Sequence, residues 1–87
     1  MLTNAPGNRE SPFTELARAK LVKVLGPEQG TRVFEDTLEQ MGVADLATPD
    51  ELYAFSQLLV SLGGMEAAVG ALLGVAAVVR GAAGKPS

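Results

Sequence analysis

Residues 63–81 read GGMEAAVGALLGVAAVVRG, and no other stretch restricts the fold as strongly. Between Glu66 and Arg80 stand thirteen consecutive residues without a charged or polar side chain. A helix that is apolar all round is buried in protein or lies in a membrane. Its small residues are ordered as well: Gly63, Ala67, Gly70, Gly74, Ala77 and Gly81 recur at steps of 4, 3, 4, 3 and 4. On a helix that spacing draws one continuous seam. A seam without side-chain bulk lets a second helix come very close, so the rest of the chain is expected to cover this one.

Helix punctuation upstream supports that picture. Ser11-Pro12 supplies a cap and a proline at the first helical position, where its missing N–H costs nothing. The apolar residues Phe13, Leu16, Ala17, Leu21, Val24 and Leu25 then follow helical spacing. Gly26-Pro27 closes this helix and opens the next, which stacks Gly30, Phe34, Leu38 and Met41 on one face. Gly42 is expected to end it in the left-handed conformation, with Val43 and Leu46 of the connector turned inward. Thr48-Pro49-Asp50-Glu51 is a capping box with a proline at the first position. Leu52, Phe55, Ser56, Leu59 and Leu62 form the inner face after it, until Gly63-Gly64 interrupts.

These signals predict an all-α fold: a compact four-helix bundle over residues 11–81, with the Gly/Ala-rich last helix at its centre. The helices are expected at about 12–25, 27–41, 49–62 and 65–80, with flexible tails at 1–10 and 82–87. At 87 residues the chain is one domain, near the size at which a core is only just sufficient.

Several functions are disfavoured by what the chain lacks. It has no His and no Cys, which removes the commonest general base, the commonest metal ligand and any thiolate site. Ser56 is expected to bond back to its own helix, and no serine sits in a nucleophile motif. No enzyme chemistry, cofactor or metal is expected. The net charge of −3 is the wrong sign for a general nucleic-acid binder, and no secretory leader is visible, so a cytoplasmic location is expected.

Charge is segregated along the chain. Residues 28–51 carry seven carboxylates against Arg32 alone, a net of −6, whereas Arg18, Lys20 and Lys23 make the first helix basic. Glu35, Asp36 and Glu39 crowd one part of the second helix. Glu66 is expected to cap the last helix.

Three short amphipathic helices are hard pressed to cover a wholly apolar fourth. A remaining strip of Val69, Leu72, Val75, Ala76 and Val79 is expected to meet a partner protein or a second copy, steered by Arg18, Lys20, Lys23, Glu35, Asp36 and Glu39. The leading expectation is therefore a non-catalytic protein–protein interaction module that forms homo-oligomers which salt weakens. A membrane-associated helical protein is the alternative, since Gly70 and Gly74 form a GxxxG pair. A domain binding an apolar ligand along the Gly/Ala seam is the third.

Overall fold

The computed structural model describes residues 11–82; the tail expected at 1–10 and all but the first residue of that expected at 82–87 lie outside the described residues. The chain forms four helices, α1 (Pro12–Leu25), α2 (Pro27–Met41), α3 (Pro49–Leu62) and α4 (Gly64–Val79). No strand is present among the described residues. The fold is an all-α bundle.

Each helix boundary has a local cause. Ser11 is extended, and its Oγ accepts from the Thr14 N–H at 3.1 Å, with Pro12 in the first turn. Gly26 adopts φ +95 and is the single residue between the end of α1 and the start of α2. Gly63 repeats this corner between α3 and α4 with φ +78. An L side chain would strain either corner.

Gly42 ends α2 at φ +75, where its N–H reaches Glu39 O and the Val43 N–H reaches Leu38 O. That is a Schellman motif. The same pattern closes α4, with Gly81 N–H to Val78 O and Ala82 N–H to Ala77 O. Ala82 is consequently buried, which corrects its assignment to a flexible tail.

Thr48 Oγ1 accepts from the Glu51 N–H at 3.1 Å. The return bond runs from the Ala47 N–H to Glu51 Oε1 at 2.7 Å, one residue earlier than in the usual capping box.

The four helices pack as two pairs. α3 and α4 share the most extensive contact, and α1 and α2 the next. α1 and α3 each touch all three other helices, whereas α2 and α4 make no contact. Ala17, Leu21, Phe34, Leu38, Leu46, Leu52, Phe55, Leu59, Val69, Leu73 and Ala77 form the core between the pairs. The Phe34 and Phe55 rings meet across it at 5.7 Å, and the Arg18 guanidinium lies 5.5 Å from the centre of the Phe34 ring.

The connector after α2 is pinned to the start of α1. Leu46 is fully buried, its N–H donates to Thr14 Oγ1 at 2.8 Å, and its carbonyl accepts from the Ser11 hydroxyl. The Thr14 hydroxyl donates in turn to the Asp45 carboxylate.

α1 and α2 cross closely at Gly30. A Cβ there would lie 2.6 Å from both Leu21 O and Val22 Cα, so only hydrogen fits. We expect Gly30→Ala to separate the two helices and cost about 1–3 kcal/mol, read as a lowered midpoint in thermal circular dichroism. An unchanged midpoint would show that the crossing is looser than described.

Candidate functional site

The surface of interest grows out of the α3–α4 contact. A Cβ at Gly70 would stand 2.7 Å from Ser56 O and 2.9 Å from Leu59 Cβ and Val60 Cγ2. The helices thus touch backbone to backbone at this point. Ser56 is fully buried, and its hydroxyl donates to Tyr53 O at 2.5 Å within its own helix. One turn further along α4, a Cβ at Gly74 would lie 3.3 Å from Ser56 Oγ.

Of the expected packing seam, Gly70, Gly74 and Ala77 lie where α4 meets its neighbours, with Gly70 and Ala77 buried. Ala67 is half-buried. Gly63 and Gly81 have a different role: each adopts a positive φ just outside the helix, and a Cβ at either would meet nothing within 4 Å. The two ends of the seam are therefore helix terminators.

A shallow groove of about 370 Å³ runs between α3 and α4 past Gly70 and Gly74. Tyr53, Gln57 and Val60 wall it on the α3 side, and Val75, Val78 and Val79 on the α4 side. A smaller hollow of about 190 Å³ lies between α2 and α3 at Val33, Thr37 and Leu58.

Burial on α4 is one-sided. Val69, Gly70, Leu73 and Ala77 are buried, whereas Leu72, Val75 and Val79 are 56%, 65% and 76% exposed. Val69 had been expected in the exposed strip and belongs to the core instead. It lies one residue from Gly70, on the side of the helix that Leu73 and Ala77 also present inward. Ala76 is half-buried at the edge of the strip.

The charged residues do not border this surface as a set. Glu35, Asp36 and Glu39 are exposed on α2, the helix that does not touch α4. Arg18 is half-buried over Phe34, while Lys20 is half-buried and Lys23 exposed on α1. Glu66 is the third residue of α4 and half-exposed, and no side chain caps that helix. It is neither the expected cap nor a deeply buried acid. Among the described residues no group of three or more acidic, His or Cys side chains is arranged to hold a metal ion. Among the described residues no helix is long and apolar enough to cross a membrane.

The groove wall on α3 lies outside the expected contact strip. Tyr53, Gln57 and Val60 stand four and three residues apart, which places them on one flank of α3. That spacing, set against the Gly70 and Gly74 gaps, was the available signal.

No protein-family model matches the chain, and neither a curated protein nor a solved structure does.

The two glycines are expected to separate in mutagenesis. Gly70→Ala drives a methyl into backbone and should cost about 1–3 kcal/mol by overpacking. Gly74→Ala meets only a side-chain hydroxyl and gains helix propensity worth about 1 kcal/mol, so its melting temperature should stay close to the parent's. Equal effects in thermal denaturation would mean that the approach is not centred on Gly70.

Proposed function

We propose that this chain is a non-catalytic helical interaction module that associates with protein, in the first place itself, through the exposed apolar face of α4. One observation carries the proposal. Of the six large apolar side chains exposed among the described residues, Met65, Leu72, Val75 and Val79 are on α4 and Val60 borders it across the α3–α4 groove, whereas Leu62 lines the hollow between α2 and α3. Scattered exposed hydrophobics are ordinary on a protein surface, but apolar residues gathered in one region mark contact sites.

The size of the face sets the expected strength. Interfaces that bury less than about 1,200 Å² in total belong to weak or transient complexes. Association opposes an entropy loss of roughly 4–15 kcal/mol before any surplus appears as affinity. A concentration-dependent equilibrium is therefore expected rather than a permanent oligomer. Since the acidic residues of α2 stand on a helix remote from α4, salt should leave this association unchanged or strengthen it slightly by screening the net charge of −3.

Light scattering coupled to size exclusion, from micromolar to millimolar protein without detergent, tests the proposal. A rising mass is expected for the parent, and Leu72→Asp should remain a folded monomer by circular dichroism. A parent that stays monomeric throughout overturns self-association.

A second reading has one observation of its own. The α3–α4 groove, at about 370 Å³, lies within the size range of small-molecule sites of about 300–1,000 Å³. On that reading an apolar, environment-sensitive dye should brighten on binding the parent, and Gly74→Leu, which fills the floor of the groove, should abolish the signal. A dye response indifferent to Gly74→Leu would remove this reading.

A further inference from the structure

We propose that the occupant of the α4 face is a second copy of the same helix, running antiparallel about a two-fold axis near Leu72. This rests on the association reading above and gives it a geometry. Met65, Ala68, Leu72, Val75 and Val79 are all exposed, and they follow one another at steps of 3, 4, 3 and 4. That is the spacing of a coiled-coil seam, which places its residues on one narrow stripe and packs them against another helix carrying the same repeat. A separate stripe of α4, through Val69, Leu73 and Ala77, is already committed to the core. The exposed stripe is thus a second, unused seam on a helix whose first seam is filled.

α4 itself supplies the matching repeat, so a second copy is a sufficient partner. The stripe offers about five part-exposed side chains, at up to roughly 100 Å² each, on the order of 500 Å² per copy. A standard interface needs about 800 Å² per partner, and the neighbouring groove walls at Tyr53 and Val60 lie close enough to add to the contact. The stripe carries no charge, and α2, with Glu35, Asp36 and Glu39, makes no contact with α4. Two copies joined at α4 therefore bring no acidic helix face into the seam.

Charge at the helix ends selects the direction. Glu66 in the first turn and Arg80 after the last are the only charges in residues 64–81. Parallel pairing would set Glu66 near Glu66 and Arg80 near Arg80, and would align the two macrodipoles. Antiparallel pairing brings each Glu66 end to the partner's Arg80 end and opposes the dipoles.

Because the chain has no Cys, any introduced thiol is unique. Met65→Cys and Val79→Cys are made separately at exposed positions, with tags of different length, then mixed and oxidised at a concentration where the parent is dimeric. A disulfide needs Cα atoms within about 7 Å. In the antiparallel pair residue 65 meets residue 79 of the other copy, whereas the two residues 65 stand about 21 Å apart along the axis. The expected product is the mixed disulfide in the mixture, with no cross-link in either variant alone. Disulfides within the single variants, or none anywhere while the dimer persists, overturn the antiparallel pairing and leave the association reading standing. A parent that never dimerises overturns both.

Discussion

The backbone contact between α3 and α4 at Gly70 governs the rest of this structure. With a Cβ excluded by Ser56 O at 2.7 Å, the two helices are held at a distance that no other residue permits. That proximity fixes the rotation of α4 about its own axis. Val69, Leu73 and Ala77 are turned into the core alongside Phe55 and Leu59, and the remaining circumference is left over. A helix with no polar residue between Glu66 and Arg80 has no side that water would prefer, so steric fit decides which side faces out.

The other pair is joined to this one by different means. Gly30 lets α1 and α2 cross at short range, and Phe34 and Leu38 then project onto Phe55 and its neighbours. The connector between the pairs adds a polar anchor in a mostly apolar structure. Thr14 is 2% exposed, and its hydroxyl meets the Leu46 amide, the Asp45 carboxylate and the Ser11 hydroxyl. Leaving any of these partners unsatisfied in a buried site would cost about 1–3 kcal/mol. The completed network therefore holds the connector that leads into α3 against the start of α1.

Much of the fold is legible in the sequence because its boundaries are written in residues with few conformational options. Ser11-Pro12, Gly26-Pro27 and Thr48-Pro49 each fix a helix start, and Gly42 an end, by local chemistry that tertiary packing has little power to alter. The candidate surface is less legible. Periodicity ranks residues by which of them share a face, and in α4 every face is apolar. Val69 and Leu72 are therefore equivalent in sequence, although one is wholly buried and the other 56% exposed. Gly63 and Gly81 fit the seam by spacing alone, whereas backbone dihedral angles make them corners. The Thr14–Asp45 bond spans 31 positions and leaves no periodic trace at all.

A single residue separates the helices at each of two corners, Gly26 in one and Gly63 in the other, where Gly64 also takes a positive φ of 62. The search for each pair contact is therefore short, since the loop that must close is nearly absent. Chains dominated by contacts between sequence neighbours belong to the fast class of folders, in the microsecond-to-millisecond range. The two corners thus keep the contacts within each helical pair close in sequence, and the longer loops are closed only where the pairs meet around Leu46 and Phe55.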